Sequence, residues 1–238
     1  MRQVPQKNRN YLVVGNGKMA RHLSTYFDLL SLPYHSWWRS SGENIYKKLL
    51  NSEKVLVAIS DDAITKFTSS LVKEFPQKTF IHFSGLLCIP GVESAHPLMT
   101  FSDKLYDLST YLQIPFVTEK KQKPFKELFP ELKNYSIAIE SEFKPFYHAW
   151  CSIAGNFTTA LWTAFFKRMH KIGINKELCF PYMTGTMDNL FNQTSPLTGP
   201  FSRNDLDIIK AHKKCLKNDP YHLVYEAMEK AMKAEGQI

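Results

Sequence analysis

Tyr11-Leu12-Val13-Val14-Gly15-Asn16-Gly17-Lys18-Met19-Ala20 is the stretch on which the fold turns. Its first four residues form a short apolar run rich in β-formers, as fully buried parallel strands do. A helical pattern then runs from Lys18 to Leu30, with Met19, Leu23, Phe27 and Leu30 on one face, and Pro33 stops it. Between strand and helix stands GxGxxA. That spacing gives the tight turn to Gly15, close backbone approach to a pyrophosphate to Gly17, and close helix–strand packing to Ala20. The free N–H groups of the helix start would face the phosphates. Gly15, Asn16, Gly17, Lys18, Met19 and Ala20 are therefore predicted to bind a nucleotide. The alternative is a turn that needs small residues for packing alone.

Working outward, the pattern repeats. Tyr34 to Trp38 reads as a second strand and Ile45 to Leu50 as one or two helical turns. Val55 to Ile59 is a buried strand. Ser60-Asp61-Asp62 follows with N-cap chemistry for a helix from Ala63 to about Glu74. Thr79 to Phe83 is a fourth strand, ending in Ser84-Gly85. This alternation predicts an α/β fold, a mostly parallel sheet with helices on both faces. Leu86 to Ser109 reads as irregular. Tyr111 to Val117 and Tyr135 to Glu140 read as strands around a helix from Lys123 to Leu132. From Phe143 to Ile172 there is one long helical pattern. Three more follow, over Lys176 to Gln193, Arg203 to Lys217 and Pro220 to Ala234, divided by the loop from Thr194 to Pro200. A boundary near residue 141 is expected, with 1–141 binding a dinucleotide and 142–238 forming an all-α substrate and dimerisation domain.

Composition narrows the class. Of 238 residues, 44% are hydrophobic and 22% charged, close to globular averages, which argues against disorder and collagen-like chains. Thirty Lys+Arg against 22 Asp+Glu give +8. A positive balance suits a polyanion or a basic pocket for a phosphorylated cofactor. It is spread over both halves with no basic tail, so no nucleic-acid partner is expected. Cys88, Cys151, Cys179 and Cys215 lie far apart in sequence, so no metal cluster and no paired redox motif is expected. The basic start, Met1 to Lys7, is followed only by Tyr11 to Val14 before a glycine, too short for a signal-peptide core. No stretch reaches the roughly 20 apolar residues that span a bilayer. A cytoplasmic protein with reduced thiols and no membrane association is expected.

The end of the second strand selects the cofactor. An acidic residue there would hold a ribose 2′-hydroxyl. This chain has Arg39-Ser40-Ser41, whose guanidinium and hydroxyls suit a 2′-phosphate, so NADP(H) is expected. The same lack of an acid counts against a methyltransferase binding S-adenosylmethionine. Ligands of open α/β sheets bind at the carboxyl ends of the strands, which places Ile59, Ser60, Asp61 and Ser84 beside the cofactor. Asp61 and Asp62 read as helix caps before they read as catalytic groups. Ser84 either caps a turn or hydrogen-bonds nicotinamide or substrate.

Taken together, Gly15 to Ala20, Ala58 to Ile64, His82 to Gly85, His96-Pro97-Leu98-Met99-Thr100-Phe101, Tyr147-His148-Ala149 and Leu197-Thr198-Gly199-Pro200 with Arg203 and Asp205 resemble a known family. It pairs an N-terminal Rossmann-like NADP-binding domain with a C-terminal helical domain of unknown function, and is similar in build to pyrroline-5-carboxylate reductase and the β-hydroxyacid dehydrogenases. The matching segments span nearly the whole chain, in order. The resemblance implies an oxidoreductase whose all-α domain makes a homodimer and closes the active site. Two departures stand out. Ser60 occupies a place where many members carry proline. The lysine and asparagine pair of the β-hydroxyacid dehydrogenases has no counterpart, since no lysine falls between His148 and Asn156.

Hydride transfer to C=O or C=N leaves negative charge on the heteroatom, which needs a proton or a hydrogen bond. His148, Ser152 and Asn156 recur every four residues, a polar stripe on an apolar helix. His148 is the expected general acid, its alternative being a core histidine bonded to backbone. Asn156 would orient the substrate, or mark a helix irregularity after Gly155. His96 either reaches the substrate or shapes its loop. Arg203 and Asp205 form a helix-start pair or an anion site. The function expected is an NADP(H)-dependent oxidoreductase acting on a small carbonyl or imine compound. A non-catalytic NADPH sensor is the second reading.

Overall fold

The computed structural model describes residues 11–193 and 196–238. The basic start of the chain, and Thr194 and Ser195 of the expected loop, lie outside the described residues.

Among the described residues, seven strands form one sheet in the order β2-β1-β3-β4-β5-β6-β7. They are β1 (Tyr11–Val14), β2 (Tyr34–Trp37), β3 (Lys54–Val57), β4 (Thr79–His82), β5 (Glu93–Pro97), β6 (Phe116–Glu119) and β7 (Ser136–Ile139). β1 to β5 run parallel, β6 pairs antiparallel with β5, and β7 runs parallel to β6. The fold is therefore Rossmann-like, a mostly parallel sheet followed by a helical C-terminal region.

Alternation along the strands makes the sheet two-sided. Tyr11 and Val13 of β1 join Leu56, Ile81, Ala95 and Phe116 on one face, under α1 (Lys18–Leu29), α4 (Leu108–Gln113) and α5 (Phe125–Leu128). Leu12 and Val14 join Val55, Val57 and Phe80 on the other, under α2 (Ile45–Leu50) and α3 (Asp61–Glu74). Tyr26 of α1 donates to Asn134 at 2.7 Å, and Asn134 donates to the carbonyls of Tyr111 and Ile114, so buried polar groups on the first face are partnered.

Four expectations are corrected. The stretch from Leu86 to Ser109 is not irregular throughout, since it contains β5. Glu93-Ser94-Ala95-His96-Pro97 has little strand propensity, and pairing on both edges overrides it. Tyr111 to Gln113 is helical rather than extended. Asp107 accepts the Thr110 N–H at 2.8 Å and starts α4, so β6 begins only at Phe116. The helix expected from Lys123 to Leu132 is the single turn α5. The helix expected from Ala63 starts at Asp61. Its N-cap is Ser60, whose side chain makes no capping bond, and Asp61 lies in the first turn.

The chain divides into two compact units, one ending at Leu161 and one beginning at Trp162. The division falls inside a continuous helical run of α6 (Lys144–Cys151), a π-helical segment (Ser152–Phe157) and α7 (Thr158–Lys171). The second unit holds α8 (Phe180–Asn192), α9 (Leu206–Leu216) and α10 (Tyr221–Ala234). Trp162, Phe165, Phe166 and Tyr182 interlock there edge-on and stacked. Arg168 grips Asp219 through two bonds of 2.8 and 2.6 Å and lies over the Tyr221 ring. Asp205 caps α9 by accepting the Ile208 N–H. No helix among the described residues is long and apolar enough to cross a membrane.

Gly15 shows how tightly β1 and β3 approach. It sits at φ +130°, and a Cβ there would stand 2.2 Å from the Ala58 carbonyl oxygen. Gly15→Ala is expected to destabilise the protein by more than about 1 kcal/mol in urea unfolding. An unchanged midpoint would contradict this packing.

Candidate functional site

The strand order places β1 between β2 and β3, so chain connections leave β1 and β3 in opposite directions. A crevice opens at the carboxyl ends of such strands. Here it is lined by Gly15, Asn16, Trp38, Arg39, Ser40, Ile59 and Ser60 and encloses about 320 Å³. Arg39 and Ser40 are exposed. The start of α1 is bare: Gly17 is its N-cap, no side chain caps it, and its first turn carries no acid. Among the described residues, a Cβ on Gly17 would meet nothing within 4 Å. An uncapped helix start with open space above it and a guanidinium nearby fits a phosphorylated dinucleotide. Ala20 is buried at 2% exposure, as close helix–strand packing requires. Two of the expected cofactor residues turn elsewhere. Lys18 points to Asp103 at 3.7 Å, and the Ser41 hydroxyl accepts the Glu43 N–H at 3.4 Å.

A second cavity, about 200 Å³, follows along the strand ends and is lined by Met19, Ile59, Asp61, Ser84 and His96 among others. Ser84 donates to Asp61 Oδ2 at 2.5 Å and accepts the N–H groups of Leu86 and Leu87 at 3.2 Å. Ser84 thus closes its own turn and ties α3 to the end of β4. A third cavity, about 630 Å³, is lined by His96, Met99, Thr100, His148, Cys151, Ser152, Asn156 and Thr159 with their neighbours. His96, Met99 and Phe101 line both the second and the third, so the two adjoin.

The expected polar stripe lies here, on a helical run that does not keep the α-helical period throughout. Ser152 to Phe157 is wound as a π-helix. A wider turn shifts side chains relative to an α-helix, and such segments concentrate at functional sites. His148, Ser152 and Asn156 nevertheless all line the largest of the three cavities.

His96 and His148 meet edge to face, ring centres 5.8 Å apart. Gly85 passes beneath both. A Cβ there would stand 2.6 Å from His148 Cδ2 and 3.1 Å from His96 Nε2. His96 Nδ1 is 2.7 Å from the Tyr147 hydroxyl, a partner to which the sequence analysis assigned no role. Burial, with the neighbouring His148 and Lys144, pushes the His96 pKa down to about 4. His96 is therefore neutral at pH 7. Burial also brings the wholly enclosed His82 down to about 4. Burial and the Cys151 thiol push the Tyr147 hydroxyl well up, so it stays protonated.

Lys144 was also missed. It is the first residue of α6 and is buried, donating to the Leu87 carbonyl, to Ser94 Oγ at 2.7 Å and to Glu119 Oε1 at 2.9 Å. Glu119 further accepts from Ser141 at 2.5 Å and from Gln122 at 3.2 Å. Burial pushes Glu119 up, but the bonds from Ser141 and Lys144 outweigh it and hold the carboxyl below its ordinary value. Only a lysine preceding the motif by three residues could have signalled this.

The model of a family described as a domain of unknown function (DUF2520) matches residues 114–232, half of the chain. No curated protein matches the sequence. Among solved structures, a Bacteroides fragilis protein provisionally described as an NADP oxidoreductase is similar, with TM-score 0.74 and 18% identity over 94% of this chain and 98% of that one. A Thermotoga maritima protein gives TM-score 0.71 and 24% identity over 94% and 97%. Plasmodium falciparum pyrroline carboxylate reductase, solved with NADP bound, gives TM-score 0.60 and 12% identity over 96% and 100%. At these identities the likeness is one of fold.

Gly85→Ala is expected to move the NMR signals of both His96 and His148 at pH 7, because one methyl group meets both rings. Signals that stay in place would contradict the arrangement.

Proposed function

The chain belongs to the DUF2520 family, and on that premise we propose that it is an NADP(H)-dependent oxidoreductase acting on a small carbonyl or imine compound. The observation that carries the reading is the bare start of α1 beneath the open face of Gly17, with Arg39 and Ser40 lining the adjoining crevice. The N–H groups of the helix start would hold the pyrophosphate, and Arg39 with Ser40 the 2′-phosphate. Ile59, Ser60 and the Ser84–Asp61 pair would flank the nicotinamide end. A reduced nicotinamide supplies the hydride when bound. The third cavity would hold the substrate, with His148 as general acid and Asn156 orienting it. The NADP-bound pyrroline carboxylate reductase shares this fold and is consistent with the reading.

A second copy of the chain would complete the enzyme. Phe146, Trp150, Ile153, Phe157 and Leu161 recur every three or four residues along one helical run, and each is at least 40% exposed. Sedimentation at micromolar concentration is expected to give a dimer, and a monomer would count against this assembly.

Calorimetric titration tests the cofactor. Micromolar binding of NADPH and much weaker binding of NADH are expected. Arg39→Ala should erase that preference, and Gly17→Val should lose NADPH while keeping the melting temperature. No binding of either nucleotide would refute the oxidoreductase reading.

A further inference from the structure

We propose that Tyr147 is a positioning residue. It donates to His96 Nδ1, holds the neutral imidazole with its proton on Nε2, and so fits the site to a carbonyl oxygen rather than to a protonated imine. This rests on the oxidoreductase reading above.

The geometry is local and specific. The Tyr147 hydroxyl and His96 Nδ1 are 2.7 Å apart, with the rings at 81°. The Nε2 edge of His96 lies over Gly85, 3.1 Å from where a Cβ would stand. His96 lines both the cavity proposed for the nicotinamide and the cavity proposed for the substrate. It is thus placed where the reacting atoms of the two would meet.

Either partner could in principle donate across the 2.7 Å bond. Cys151, one turn beyond Tyr147, also touches its hydroxyl. A thiol is a weak donor and a weak acceptor, whereas an imidazole nitrogen lone pair is a strong acceptor. The stronger bond is therefore O–H to Nδ1. The remaining ring proton then sits on Nε2.

The groups around His96 keep the ring neutral. His148 and Lys144 of α6 disfavour its protonation and Asp61 of α3 favours it, while burial outweighs them all. His82 of β4, itself held neutral, and Tyr147 are further titratable neighbours. A neutral ring offers its N–H without adding a charge, the use made of a neutral histidine in a known isomerase.

Substrate choice follows from donors and acceptors. A carbonyl oxygen accepts from Nε2–H, and accepts more strongly as charge builds on it. A protonated imine nitrogen has no lone pair to offer and brings an N–H of its own. In carbonyl reduction the hydride bonds to carbon and the C=O π pair moves to oxygen. That oxygen, held by His96, takes its proton from His148, which regains one from water.

Histidine ¹H–¹⁵N spectra of the full chain test this without a substrate, with His96→Gln assigning the signal. The Nε2–H tautomer is expected for His96 at pH 7. Tyr147→Phe should raise the His96 titration midpoint by about one pH unit, because the neutral ring loses the bond that favours it. The low-pH limb of kcat/KM should move the same way. An Nδ1–H tautomer, or a midpoint that stays or falls in Tyr147→Phe, would overturn the proposal. So would faster NADPH oxidation with cyclic imines than with small ketones and aldehydes. If neither nicotinamide nucleotide binds, the oxidoreductase reading fails by itself, and the spectra still decide what Tyr147 does.

Discussion

The buried pair between Lys144 and Glu119 is the constraint on which the site depends. Both side chains are 4% exposed, at a depth where an uncompensated charge is costly. The arrangement compensates each charge. Lys144 has three N–H donors and three acceptors, and Glu119 accepts from Lys144, Ser141 and Gln122. Breaking such a pair by removing one partner costs about 3–5 kcal/mol. The three acceptors of Lys144 belong to β5, β6 and the loop after β4. One ammonium group therefore docks the start of α6 onto the strand ends and holds the Ser84–Leu87 turn beside it. Tyr147 and His148 follow within one helical turn, which brings them over Gly85 and against His96.

The glycine loop obeys a different constraint, and its two glycines have different reasons to be glycine. Gly15 is required by the protein itself, because the Ala58 carbonyl occupies the space of a side chain. Gly17 is not, because no described residue would meet its Cβ and its φ is ordinary for any residue. The space above Gly17 is filled by no group of the described residues, which suits a close-approaching phosphate. The same contrast recurs at Gly85, where the missing side chain makes room for two imidazole rings.

Much of the fold was legible in the sequence. β1, α1 and β3 read clearly because buried parallel strands are apolar throughout and the amphipathic helix between them is bounded by Gly17 and Pro33. The failures have physical causes. β5 carries Glu93, Ser94 and Pro97, residues that do not favour strands, and exists because β4 and β6 offer it edges. Tyr111 looks like a strand residue, yet Asp107 starts a helix there and Tyr111 packs against His22 and Tyr26 of α1. The π-helical turn at Ser152–Phe157 leaves no mark in a search for period 3.6 beyond the suspicion raised by Gly155. The candidate site was legible as far as single residues go, since His96, His148, Ser152 and Asn156 do converge on one cavity. Lys144 and Tyr147 were not, because their significance lies in contacts across 25 and 51 residues of chain.

The docking of α6 by a single buried ammonium is best tested by amide hydrogen exchange on the wild type and on Lys144→Met. Protection is predicted to fall across Lys144–Cys151 and the Ser84–Leu87 turn, while the amides of β1, α1 and β3 keep theirs. Equal protection of α6 in the two proteins would contradict the account, because the helix would then be held over the strand ends by something other than Lys144.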